Sequence, residues 1–300
     1  MSHLLFVDAN VLLDFYSIGG KDQLGMLKQL VEKRGSVITN SLLRGEFERN
    51  RNNILGRAYN EFDPTKKMST AFPTFLVNSD DVGTVKRSKE ELKRVTNTVR
   101  EGLLNAARTP NEDPVLGLVD DLCGPSGDTH VEDGDEFELI LKRAKDRFVL
   151  GHPPRKGSDT KVGDSFHWEW VLECASRQGA SVAVVSRDGD YGTRISDKLV
   201  LNTFLSREFA RKVGTDKSVE MFSMLSDCLD RIGITATVEA KEAEQKLVIR
   251  RADFPSHYSY DQGSFSAGFS NAFQVNPGAT NTEFGAGSGI TLVGKDFPKR

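Results

Sequence analysis

The chain has 300 residues, of which 38% are hydrophobic, and a formal net charge of −3 at pH 7. This length and composition predict a soluble globular protein with one large domain or two small ones. The small net charge provides no overall field that attracts nucleic acid, so any such binding requires a local basic patch. The three cysteines are far apart in the sequence, which argues against a disulfide framework and against a zinc site. Because the sequence shows neither a signal peptide nor a membrane span, we expect a cytoplasmic protein.

The first predicted element is a buried strand that ends in an acid. Four large apolar residues, Leu4-Leu5-Phe6-Val7, are followed at once by Asp8. Such an unbroken apolar run is typical of a strand covered on both faces. Ligands of open α/β sheets bind at the carboxyl edge of the strands, so Asp8 is a candidate for metal or phosphate chemistry. The alternative is that Asp8 or Asn10 caps the helix that follows.

A second acid follows on a predicted helix. Apolar residues at helical spacing predict a helix that ends at Gly35, and residues 36–39 are typical of a short strand. Asn40 is a good N-cap for the next helix, on which Glu46 lies along a polar face one turn from Arg49. This face is either part of a site or a solvated surface with an ordinary ion pair.

A helical insertion is predicted over about residues 58–135. Two prolines, Pro64 and Pro73, interrupt the chain before a long amphipathic helix from about Thr84 to Arg108. A loop is predicted from Thr109 to Gly134. The basic exterior of the long helix either faces a polyanion or is a solvated face, since glutamates are interspersed among its lysines and arginines.

Two more acids follow the insertion. A helix with core spacing from Phe137 to Phe148 leads into an irregular basic loop that ends at Asp164. Asp164 begins the next helix, where free backbone N–H groups stabilise a carboxylate. A second buried strand, Ser181–Val185, then ends in Ser186-Arg187-Asp188-Gly189-Asp190, in which Asp188 lies nearer the strand end.

The remaining elements complete an alternating β/α order. We predict a strand at about residues 199–203 and a helix through Val219, Phe222, Leu225, Leu229 and Ile232. Strands separated by helices imply parallel pairing with right-handed crossovers.

Residues 236–300 are predicted to be a C-terminal extension. Residues 237–251 suggest a helix that leads into an edge strand. From about residue 254 the composition shifts to Gly, Ser, Asn and Phe, which predicts a low-complexity segment without a packed core of its own. We expect it to be disordered in isolation or to dock on a protein partner or a second copy, with anchors at Phe265, Phe269 and Phe273.

Four acids therefore stand at element ends, namely Asp8, Glu46, Asp164 and Asp188. A parallel sheet brings its strand ends and the neighbouring helix starts to one edge, so these acids can converge. Clustered carboxylates repel one another, and such a cluster is tenable mainly around a divalent cation. A set of oxygen ligands without thiols or paired histidines favours Mg²⁺ or Mn²⁺ over Zn²⁺.

In these stretches the chain resembles the PIN-domain nucleases, in particular a branch with an enlarged helical insertion. The resemblance covers about residues 1–215 and is carried by four stretches: Phe6–Asp14, Glu46–Arg51, Gly151–Asp164 with Trp168, and Ser186–Tyr191. It implies a three-layer α/β/α fold with a central parallel sheet, within a nuclease domain of residues 1–235.

The resemblance also implies roles for individual residues. Asp8, Glu46, Asp164 and Asp188 would be the catalytic, metal-binding quartet, with Asp190 as an auxiliary ligand. Asn10 would orient Asp8, Ser186 fits the small hydroxyl residue before the last acids, and Tyr191 replaces the family's more usual Phe or Trp. Asp14 has no clear role. Separately from the resemblance, five residues are candidates for positioning nucleic-acid phosphates because they flank the acids in the sequence: Arg49, Asn50, Arg147, Arg155 and Lys156.

The implied function is a metal-dependent endoribonuclease that hydrolyses single-stranded RNA with Mg²⁺ or Mn²⁺, with a toxin or antiviral defence role as the family's habit. Two alternatives compete with it. A phosphatase of the haloacid-dehalogenase type needs an aspartate two residues after the first, where this chain has Asn10. A catalytically silent PIN-like module would bind RNA or protein without cleaving it.

Overall fold

The computed structural model describes residues 3–17, 23–62, 80–125, 127–154, 161–196 and 198–253. Within these ranges the strands are β1 His3–Val7, β2 Val37–Asn40, β3 His130–Val131, β4 Ser181–Val185, β5 Gly192–Ile195, β6 Lys198–Leu201 and β7 Val219–Phe222. The helices are α1 Ala9–Leu12, α2 Gln23–Glu32, α3 Ser41–Glu61, α4 Asp80–Arg108, α5 Pro114–Leu122, α6 Asp135–Val149, α7 Gly163–Gln178, α8 Thr203–Lys212 and α9 Val238–Asp253.

Five parallel strands form the central sheet in the order β3-β2-β1-β4-β7. The two central strands, β1 and β4, are almost wholly buried, and Leu5 pairs with Ala183 between them. Helices flank the sheet, and the Trp170 indole of α7 donates a hydrogen bond to the Thr39 carbonyl of β2 at 2.9 Å. This architecture confirms the predicted α/β fold with a central parallel sheet.

The structure corrects two predicted segments. The loop predicted over residues 109–134 contains α5 and strand β3. The helix predicted through residues 219–232 is instead β7 followed by two short 3-10 helices, Leu225–Asp227 and Leu229–Ile232. Its apolar residues recur every three or four positions, but Val219 pairs with Val182 at the sheet edge, and periodicity alone does not separate short buried strands from helices.

Other elements agree with the prediction or extend it. The long helix predicted from Thr84 begins at Asp80, and the strand predicted near residue 199 is β6, which pairs antiparallel with β5 outside the central sheet. Helix α8 was not predicted. Pro64 and Pro73 lie outside the described residues.

The C-terminal part of the described chain is helical. Helix α9 continues to Asp253, where a helix leading into a strand was predicted. The chain divides into two compact units, Met1–Tyr260 and Asp261–Arg300, so α9 falls in the first of them. The predicted tail anchors at Phe265, Phe269 and Phe273 lie outside the described residues. Within the described helices, none has both the length and the apolar character needed to cross a membrane.

Candidate active site

The carboxyl ends of the two central strands bring the first and last acids together. Val7 pairs with Val185, the last residues of β1 and β4, so Asp8 and Ser186 leave the sheet side by side. The Asp8 backbone N–H donates to the Val185 carbonyl at 3.0 Å, which extends the pairing to the acid itself. Asp8 is therefore held at the edge where parallel sheets bind ligands.

A buried hydrogen-bond network joins Asp8 to Asp188. Both the Ser186 hydroxyl and the Asn10 amide donate to Asp8 Oδ2, at 2.6 and 2.9 Å. The same Asn10 amide donates to Asp188 Oδ2 at 3.1 Å, and the Asp188 backbone N–H donates to Ser186 Oγ at 3.1 Å. Asn10 and Ser186 thus fix the orientation of the Asp8 carboxylate through its Oδ2.

The predicted acids lie close enough to perturb one another. Burial, followed by the charges of Glu46 and Asp188, raises the pKa of Asp8 from 3.8 to about 8. Burial, followed by Asp8, Glu46, Asp190 and Asp188, raises the pKa of Asp164 well above its ordinary value. Burial is also the main cause that raises the pKa of Glu46, with Asp188 adding to it. The charges of the other four acids thus all act on Asp164, which indicates that the five acids lie near one another.

This donor set suits a hard divalent cation, although the acids do not form a ready-made cage. Carboxylate oxygens that repel one another are the groups that such a cation stabilises. Across the described ranges, no three His, Cys, Asp or Glu side chains are already arranged to hold a metal ion. Binding a cation therefore requires the carboxylates to adjust around it.

Two exposed cations border the acids. Arg49 lies on α3 three residues after Glu46, and its positive charge lowers the pKa of that acid. Lys161, just before α7, acts on Glu46 in the same sense. Sequence reasoning missed Lys161, although it lies in the basic loop that precedes Asp164. Arg155 and Lys156 of that loop lie outside the described residues.

Asn50 and Arg147, both predicted to contact nucleic acid, have hydrogen-bond partners within the protein. The Asn50 amide donates to the Glu46 carbonyl within α3 at 3.1 Å. Arg147 is buried and pairs with Glu169 and Glu208, each at 2.6 Å, and also donates to the Pro153 carbonyl at 2.7 Å. Because its guanidinium is enclosed by protein acceptors, Arg147 joins three helices rather than facing a phosphate, which corrects the prediction made for it.

A second buried ion-pair network holds the segment that carries Asp188. The Arg187 guanidinium pairs with Asp14 at 2.5 Å and with Glu244 of α9 at 3.1 Å. Glu244 in turn accepts hydrogen bonds from the backbone N–H groups of Leu225 and Ser226. Asp14 therefore has a role after all: it anchors the residue between Ser186 and Asp188.

Comparison with known proteins places the chain within one family. The sequence profile of a family described as "PIN like domain" matches residues 4–190. The matched span runs from β1 past β4 and includes all five acids, whereas α8 and α9 lie beyond it. No curated protein and no solved structure shows significant similarity to the chain.

Proposed function

Because the chain belongs to the PIN-like domain family, whose members are commonly nucleases, we propose that it is a metal-dependent endoribonuclease acting on single-stranded RNA. The observation that carries this proposal is that Asp8, Glu46 and Asp164 are all acids whose pKa values are raised, first by burial and then by the charges of neighbouring acids of the same set. Such a cluster costs stability unless a cation neutralises it. The choice of RNA, and a role as toxin or antiviral effector, rest on the resemblance to the family.

The proposed site has two kinds of residue: acids that would hold the cation, and residues that keep these acids in position. Mg²⁺ or Mn²⁺ would be held by the quartet with help from Asp190, and when bound it would polarise the scissile phosphate and lower the pKa of a water. Asn10 and Ser186 keep Asp8 in a fixed orientation, since both donate to its Oδ2. Arg187, held by Asp14 and Glu244, keeps the segment of Asp188 against the body of the fold.

The direct test is cleavage of single-stranded RNA by the purified full-length protein. We expect internal cuts in the presence of Mn²⁺ or Mg²⁺ and none in a chelator, with products resolved on a denaturing gel. Single-stranded DNA of the same sequence is the comparison substrate. Cleavage in chelator would overturn the metal-dependent assignment, and metal binding without cleavage of any nucleic acid would favour the silent binding module.

Arg49 is expected to help bind the RNA backbone. Replacing it with Ala should raise the KM for RNA by roughly threefold to tenfold with little change in kcat, because a phosphate contact contributes mainly uniform binding. Steady-state kinetics at two salt concentrations measure this effect, and the salt dependence should also become weaker.

Arg44 supplies the matched control on the same helix. Its guanidinium already pairs with Glu48 at 3.2 Å and with Asp120 at 3.0 Å. Arg44→Ala should therefore leave the KM unchanged. An equal rise in KM for both variants would mean that α3 contributes only a general positive charge.

A further inference from the structure

Tyr191 follows the last acid of the site and is completely buried. Its ring packs against Phe6 and Trp168, with ring centroids 6.4 Å from each. Phe6 lies on β1 two residues before Asp8, so the Tyr191 ring packs beside the strand that delivers the first acid. The ring is thus part of the core next to the site.

The hydroxyl of Tyr191 is harder to explain by packing alone. Among the described residues it has no hydrogen-bond partner. Buried hydroxyls almost always have one, so a Phe would fill this position at lower cost if only the ring mattered. The hydroxyl is also within electrostatic range of the acids, because the charges of Asp164, Asp8, Glu46 and Asp190 add to burial in raising the Tyr191 pKa.

We propose that Tyr191 is a positioning residue of the acid site whose hydroxyl binds a water in the hydration shell of a divalent cation held there. The hydroxyl oxygen would accept a hydrogen bond from this water, and its O–H would donate to a carboxylate oxygen of the cluster. A phenol hydroxyl provides both a donor and an acceptor, whereas ionised carboxylates can only accept. The inference rests on the proposed metal site and adds to it a neutral group that is absent when Phe or Trp stands at this position.

The test uses Tyr191→Phe in the full chain, which removes one oxygen and keeps the ring. The Kd for Mn²⁺ is measured by isothermal titration calorimetry, and the melting temperature is measured without metal. We expect the Kd to rise about tenfold, as for other groups that orient a metal site from outside its direct ligands. The metal-free melting temperature should stay the same or rise, since an unsatisfied buried hydroxyl is removed.

Tyr16→Phe is the matched control. Its hydroxyl donates to Asp113 at 2.6 Å and accepts from Arg51 at 3.1 Å, and neither partner is one of the five acids of the candidate site. This variant should lower the melting temperature and leave the Mn²⁺ affinity unchanged, the opposite pattern to Tyr191→Phe.

The outcomes separate this inference from the proposed function. Unchanged Mn²⁺ affinity in Tyr191→Phe would show that Tyr191 only packs and would overturn the inference while the metal site stands. Equal weakening in both variants would mean general destabilisation and would overturn it too. Absence of Mn²⁺ binding by the wild-type protein would overturn the metal site itself, and the inference with it.

Discussion

Replacing Asp8 with Asn is expected to reduce RNA cleavage severely and, at the same time, to stabilise the metal-free protein. The loss should be about 10³-fold in kcat/KM. A bound cation stabilises the transition state by several kcal/mol, and the variant lacks an acid that would hold this cation. Asp164→Asn should behave alike, since burial and the other acids raise its pKa as well. Cleavage assays with excess enzyme and Mn²⁺ measure the residual rate.

The gain in stability should depend on pH. The pKa of Asp8 is 3.8 when unperturbed and about 8 in the folded protein. Between these values the folded state binds more protons than the unfolded state, so the free energy of unfolding of the wild type falls as pH rises. Asp8→Asn removes this penalty, and the difference in melting temperature between variant and wild type should widen from about pH 4 to pH 8.

Adding metal should make the wild type more stable than Asp8→Asn, the reverse of the order expected without metal. Mn²⁺ is expected to raise the melting temperature of the wild type and to have little effect on Asp8→Asn, since binding to the folded state alone stabilises it. Asp216→Asn is the control. Asp216 lies before the amino end of β7, whereas Asp8 follows the carboxyl end of β1, and the Asp216 side chain is exposed beside Lys217. A wild-type rate of cleavage in Asp8→Asn would refute the catalytic assignment.

Asp8 and Asp188 could be predicted as site residues because the sequence pattern that identifies them is local. Both Asp8 and Asp188 follow strands whose apolar runs are unbroken, and such runs identify central strands of a parallel sheet. The parallel order then places both acids at one edge without any knowledge of side-chain contacts. Glu46 and Asp164 have weaker local signals, a polar helix face and a helix start, and their assignment as metal ligands depended on the resemblance.

The ion-pair networks could not be predicted, because their partners are far apart in the sequence. Arg147 lies near acids of the site in sequence order, yet its own partners are 22 and 61 residues away. Arg187 and Asp14 are separated by 173 residues. The sequence shows that Arg147 lies near an acidic segment. Which carboxylates it contacts depends on how α6, α7 and α8 pack together.

Replacing Arg147 is therefore expected to damage the fold far more than RNA binding. Arg147→Met keeps much of the apolar stem but leaves the buried Glu208 with the half-exposed Lys212, and the buried Glu169 with Lys212 and the half-exposed Arg143. The Trp168 indole, which donates to Glu208 at 2.9 Å, does not neutralise the charge. Breaking a buried pair on one side costs about 3–5 kcal/mol, so the free energy of unfolding in urea should fall by that amount.

Arg143→Ala is the matched control, one turn earlier on α6. Arg143 is 43% exposed and pairs with Glu173 at 2.8 Å and with Glu169 at 3.5 Å. An exposed pair contributes roughly 0–1 kcal/mol, so this variant should unfold close to the wild-type midpoint. In Arg147→Met the KM for RNA of the protein that remains folded should be unchanged. A rise in KM with wild-type stability would instead return Arg147 to the RNA-binding surface.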